Sequence, residues 1–136
     1  MKTIQAKVTE YFSTKQDVMA VYLYGSYASG NQTAKSDVDL GIILDPEKCN
    51  PSIFSEKGNQ LMLELSRILR KEVHVVLLNY AGEGLLQQVL KRGELIYIHD
   101  NQKLNIFKAR ILQKIFDFNY YKRRMQAGFI RHVTAS

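Results

Sequence analysis

Residues 18–44 read VMAVYLYGSYASGNQTAKSDVDLGIIL, and the fold turns on how this stretch is read. Val18 to Tyr24 is a β-branched and aromatic run that stops at Gly25, which predicts a buried strand. Residues 26–36 are small and polar and predict a loop, with room for one helical turn after Ser26. Val38 to Leu44 is a second apolar run, closed by Asp45-Pro46 because the residue before a proline is pushed out of regular pairing. Asp37 and Asp39 stand two apart where this second strand begins. Side chains alternate along a strand, so both carboxylates are expected on one side while Val38 and Leu40 face the core. Two like charges side by side repel, and burial adds to the penalty. A divalent cation reverses that balance, and magnesium suits one or two carboxylates completed by water and phosphate oxygens.

Gly25 ends the first strand, where a sharp bend is needed and a Cβ would obstruct close approach. The Ser26 hydroxyl and the neighbouring backbone N–H groups are placed to hold phosphate oxygens. Gly30 gives the loop further freedom. Lys35 and Ser36 precede the aspartates and are candidates to reach phosphate, although a lysine there equally suits solvent. A phosphate cradle ahead of a carboxylate pair on the next strand is equipment for phosphoryl or nucleotidyl transfer.

Outward from this stretch, Ile4, Val8, Tyr11 and Phe12 have helical spacing within residues 2–15. Residues 46–55 predict a loop, followed by a helix with Leu61, Leu65, Ile68 and Leu69 on one face. Val73 to Leu78 predicts a third strand. Gly84 to Arg92 predicts a short helix ending at Gly93, and Leu95 to Ile98 a fourth strand. Residues 103–126 predict a long basic helix with Leu104, Phe107, Ile111, Ile115 and Phe118 along one side. The order implies an α/β (α+β) fold: a small mixed sheet of about four strands flanked by helices. Residues 1–102 form the core, and residues 103–136 are a helix and tail belonging to the same domain.

The chain has 136 residues, 46% of them hydrophobic, which fits one globular domain and excludes general disorder. Cys49 is the single cysteine, so no disulfide forms within the chain and a reducing cytoplasm is the expected setting. No apolar run approaches the ~18 residues of a membrane span, and the start, Met1-Lys2-Thr3-Ile4-Gln5, leads into an amphipathic stretch unlike an export signal. Residues 1–102 carry eleven Lys/Arg against twelve Asp/Glu, whereas residues 103–136 carry eight against one, Asp117. A basic segment on a neutral body suits an anionic partner or a solvated helix face. Tyr120 and Tyr121, beside Lys122, Arg123 and Arg124, suit stacking, docking or packing on the body. His99 and His132 have no metal spacing, and Cys49 has no evident catalytic partner.

Gly25-Ser26, ten residues, then Asp37-Val38-Asp39 resembles the signature of the polymerase-β-like nucleotidyltransferase superfamily. The small size resembles its minimal nucleotidyltransferase (MNT) branch, and residues 116–124, F-D-F-N-Y-Y-K-R-R, resemble loosely the last helix of MNT antitoxins paired with HEPN ribonuclease toxins. The resemblance implies a magnesium-dependent adenylyltransferase that moves AMP from ATP to a tyrosine of a HEPN-type toxin and so silences it. On the matching positions it implies Asp37 and Asp39 as catalytic metal ligands, and Gly25, Ser26 and Ser36 at the nucleotide. The family has a third acid on a later strand, in a run such as Val-Asp-Leu-Val-Asp-Leu-Asn. Here that run is Val73-His74-Val75-Val76-Leu77-Leu78-Asn79, with His74 in place of the acid and Leu77 in place of the run's second aspartate.

Three readings stay open at that position. His74 is itself the base, since imidazole exchanges protons near neutral pH. Alternatively Glu72, two residues earlier and on the same side of the strand, supplies the carboxylate. In the third, the position is vacant and the chain neutralises a toxin by binding alone. An antibiotic-modifying enzyme is a further alternative, disfavoured because little chain remains to build a small-molecule acceptor pocket. The basic last helix favours a macromolecular partner, with protein preferred to RNA and no membrane.

Overall fold

A computed structural model describes residues 3–30, 32–33 and 36–135; side chains are described except at Ser29, Phe118, Tyr120, Tyr121 and from residue 127 onward. The elements run α1 (Ile4–Phe12), β1 (Val18–Tyr24), α2 (Ser26–Ser29), β2 (Val38–Leu44), a 3-10 turn (Pro51–Ile53), α3 (Phe54–Leu69), β3 (Val73–Leu77), α4 (Glu83–Arg92), β4 (Glu94–Ile98) and α5 (Asn101–Ala135). The four strands make one sheet in the order β3-β2-β1-β4. β1 lies antiparallel to both β2 and β4, whereas β2 and β3 are parallel. A parallel pair needs a crossover, and α3 supplies it.

Both sheet faces are covered, which explains why β1 is apolar almost throughout rather than alternating. On one face α1 and α3 bring Val8, Phe12, Leu61 and Leu65 against Leu23, Val38, Leu40 and Ile42. On the other, α4 and α5 bring Leu86, Val89, Leu104 and Ile111 against Ala20, Tyr22 and Ile43. The Tyr22 hydroxyl is buried on this second face without a hydrogen-bond partner among the described residues.

Local chemistry sets the element ends. The Thr3 hydroxyl accepts from the Ala6 N–H at 3.1 Å and caps α1, so the helix starts later than the 2–15 pattern predicts. Asn79 accepts from the Leu44 N–H and donates to the Leu44 carbonyl, both at 2.9 Å, pinning the ends of β2 and β3 together. Gly93 does cap α4, but with extended φ/ψ; it is glycine because a Cβ there would collide with the Val89 carbonyl oxygen. Ile68, expected on the buried face of α3, is 45% exposed, since Leu65 and Leu69 already fill that face.

Helix α5 spans 35 residues, about 52 Å at the usual rise, and outruns the expected 103–126. Asp100 caps it by accepting from the Lys103 N–H at 3.0 Å. Lys103 donates to buried Asp45 at 2.8 Å and to Glu47 at 2.7 Å, tying the helix start to the end of β2. Burial alone would push the Asp45 carboxyl up; the Lys103 hydrogen bond, the Glu47 N–H and the Lys103 and Lys48 charges outweigh it and hold the group below its ordinary range. Among the described side chains, those buried in α5 are Leu104, Ile111 and Ile115, while Phe116 and Met125 are each 74% exposed. No helix among the described residues is long and apolar enough to cross a membrane.

Candidate active site

The expected site residues gather on one rim of the sheet, where β1 ends and β2 and β3 begin. In the parallel ladder Asp39 stands opposite His74, and across the antiparallel pair it stands opposite Tyr24. Val38 and Leu40 are fully buried on the α1/α3 side, so alternation turns Asp39 to the other face. Asp37 lies just before β2 and Glu72 just before β3. The Val38 N–H donates to the Glu72 carbonyl at 3.0 Å and holds these two flanks together.

Gly25 has φ +73° and ψ −147°, a conformation open essentially to glycine alone. A Cβ built there would lie 2.5 Å from Asp39 Oδ2. The glycine is thus required twice, by the bend and by the carboxylate that fills the space beside it. Gly30 is also left-handed, with φ +78°, and ends the single turn α2. Ser26 is half-buried at the start of that turn. The Ser36 hydroxyl accepts from the Thr33 N–H at 2.8 Å, which engages it in closing the loop. Lys35, and the side chains of Tyr120, Tyr121 and His132, lie outside the described residues.

Electrostatics on the rim follow from these placements. Burial pushes the Asp39 carboxyl above its ordinary value, the nearby His74 pulls it down, and Asp37 pushes it up, for a net rise. Burial and the Asp39 charge likewise push the Tyr24 phenol up. His74 Nε2 is 3.2 Å from Asp37 Oδ2 and 3.5 Å from Glu72 Oε1. One ligand atom from each of Asp37, Glu72 and His74 lies within 4.8 Å of the others, on exposed side chains. This arrangement can bind a cation and present it to phosphate oxygens arriving from solvent.

Tyr24 was the member of this rim that pattern reading passed over. It reads as the last residue of a buried strand, and only the cross-strand register brings it beside Asp39. A cavity of about 390 Å³ lies elsewhere, at the far end of β2 among Asp45, Asn79, Lys103, Phe107 and Arg110, and holds none of the rim residues.

Residues 6–102 match the polymerase beta, nucleotidyltransferase family, and the chain belongs to that family. Over 95 residues it is 27% identical to the protein adenylyltransferase MntA of Aphanizomenon flos-aquae (strain 2012/KM1/D3). That similarity covers 66% of this chain and 63% of the relative, somewhat under two thirds of its length. Among solved structures, the fold is shared with a chain of a toxin-antitoxin complex with AMP-PNP, at TM-score 0.72 and 20% identity, covering 93% of this chain and 98% of that one. It is shared also with a chain of the complex between a tri-AMPylated Shewanella oneidensis HEPN toxin and its MNT antitoxin, at TM-score 0.66 and 17% identity, covering 94% and 99%.

Proposed function

We propose that this chain is an antitoxin-type adenylyltransferase that moves AMP from ATP to a hydroxyl, a tyrosine for preference, of a HEPN-type toxin and neutralises it. The observation that carries the reading is the rim itself: Asp37, Asp39 and His74 meet beside a glycine whose missing Cβ leaves the space that Asp39 Oδ2 occupies. Family membership and the similarity to a protein adenylyltransferase support the reaction class. The toxin-antitoxin complexes of the same fold support the partner class.

In this reading Asp37 and Asp39 would hold a magnesium ion, which when bound would supply charge neutralisation at the phosphates. Gly25 and Ser26 hold the β- and γ-phosphates by backbone and hydroxyl donors. The acceptor oxygen bonds to the α-phosphorus in line, the bond from that phosphorus to the bridging oxygen breaks, and pyrophosphate leaves. The acceptor's proton passes to the Glu72–His74 pair on the rim. Catalysis consists mainly of positioning and charge stabilisation.

The replacement of an acid by His74 is the observation that favours a second reading, an antitoxin acting by binding alone. Incubation with ATP labelled on the α-phosphate, magnesium and a purified HEPN-type partner separates the two. Label on the partner, lost in Asp39→Asn, is the expected result. A tight complex without label, unchanged in Asp39→Asn, would overturn the transferase reading.

A further inference from the structure

The cavity of about 390 Å³ at the far end of β2 lies away from the rim, between the start of α4, the first turns of α5 and the ends of β2 and β3. We propose that it is a binding site for an organic monocarboxylate, with an apolar body on the cavity floor and its single negative charge between Arg110 and Lys114. Neither the site nor its test depends on AMP transfer.

The floor is apolar. Met19, Leu78, Leu86 and Ile111 line it, and all four are buried. Phe107 adds a half-buried ring. A space of this volume, mostly apolar with a few polar groups, is of the size that takes a small organic molecule. The polar groups beside the floor are already engaged with the protein. Asn79 accepts from the Leu44 N–H and donates to the Leu44 carbonyl. Asp45 accepts from Lys103 at 2.8 Å and from the Glu47 N–H at 3.0 Å. Little is left there to read a nucleobase or a sugar, so the ligand's body is apolar.

The charges around the cavity give the head group. Lys103 is engaged by Asp45 and Glu47. Glu83 sits in the first turn of α4, where a helix N-terminus favours a carboxylate. Arg110 and Lys114 are left over. They stand one turn apart on α5, exposed at the cavity mouth, and neither makes a hydrogen bond or ion pair among the described residues. Arg110 has no acid three or four residues away on its own helix. Lys114 has Asp117 at that spacing, but Asp117 accepts from Gln113 at 3.3 Å. Like charges at this spacing repel, and an anion received between them replaces the repulsion with charge-assisted hydrogen bonds. Half-buried Glu83, lining the same cavity, repels a second negative charge. That selects one carboxylate over a phosphate dianion. Once bound, such a ligand joins α5 to α4 and to the strand ends that Lys103 already holds.

The test uses the full chain labelled with nitrogen-15, with octanoate as the probe, 1-octanol as its uncharged match and AMP as the phosphate arm. Two-dimensional NMR titration reads both place and affinity. Octanoate should shift the backbone signals of Ala81, Glu83 and Phe107 saturably, 1-octanol should bind there at least about tenfold more weakly, and AMP should leave those signals unmoved. The double variant Arg110→Gln/Lys114→Gln should weaken octanoate by about tenfold or more and leave the affinity for 1-octanol unchanged. Octanoate shifts that spread over the surface without these residues, equal affinity for octanoate and 1-octanol, or an octanoate affinity unchanged in the double variant would each overturn the proposal. AMP bound at these residues as tightly as octanoate would overturn the choice of a monocarboxylate.

Discussion

Replacing Gly25 by alanine tests the rim at its most constrained atom. The native φ of +73° with ψ −147° costs a non-glycine residue about 1–3 kcal/mol, independently of any neighbour. The added Cβ also meets Asp39 Oδ2 at 2.5 Å, well inside ordinary contact, so the carboxylate must move by about an ångström. Displacements of that size at a reacting centre lower rates by about a hundredfold. Gly25→Ala should therefore lower the Tm by about 3–5 °C for each kcal/mol of strain and reduce AMP transfer by about two orders of magnitude. The two effects separate in a double-mutant cycle. In an Asp39→Ala background the backbone strain persists while the collision is gone, so the stability cost of Gly25→Ala should shrink by about 0.5 kcal/mol or more. Thermal or urea unfolding of the four chains measures this. Equal costs in both backgrounds would refute the contact, and a Gly25→Ala chain with unchanged stability and transfer would refute the account of the bend as well.

Asp39→Asn should abolish transfer, a loss of at least about a hundredfold, while leaving the Tm unchanged or slightly raised, because burial penalises the charged carboxylate and not the amide; a large fall in Tm would contradict this. Asp45 is held below its ordinary range, so the stability it contributes is present above the unfolded value of about 4 and lost as pH falls through the lower folded value. Lys103→Met removes the strongest lowering influence and leaves burial, so the acid decline in Tm should begin at higher pH; an unshifted acid limb in a Tm-against-pH series would count against the Lys103–Asp45 tie. Tyr22→Phe should leave the Tm equal or higher, since its buried hydroxyl has no partner among the described residues, and a loss of stability beyond about 1 kcal/mol would contradict this. Leu104→Ala should cost about 2–5 kcal/mol, because that side chain is fully buried. Phe116→Ala, at a position 74% exposed, should leave the unfolding free energy within about 0.5 kcal/mol of the wild-type value.

The strands were legible in the sequence because each is a short apolar run closed by a breaker: Gly25 after β1, Asp45-Pro46 after β2, Gly93 before β4. Periodicity also marked Leu104, Ile111 and Ile115 as the inward side of α5, and all three are buried. It failed at Ile68, because a helical stripe predicts a direction and not how much space the sheet leaves there. The meeting of Asp39 with His74 and Tyr24 lay beyond local pattern, since strand order and register fix it. Ser36 was read as a phosphate contact from its place beside Asp37; that its hydroxyl also accepts from the Thr33 N–H, a local bond that serine makes readily, was not legible in the loop's composition. The Asn79 bridge to Leu44 likewise needs tertiary context, as an asparagine after a strand otherwise reads as a turn residue.

The parallel seam between β2 and β3 joins an inner strand to the edge strand of the sheet, after a detour through the whole of α3. Residues from both sides of that seam flank one rim, so Asp37 and His74 stay within reach of each other only while the edge strand β3 remains paired to β2, and fraying of that edge would disperse the rim before it disturbed the rest of the sheet.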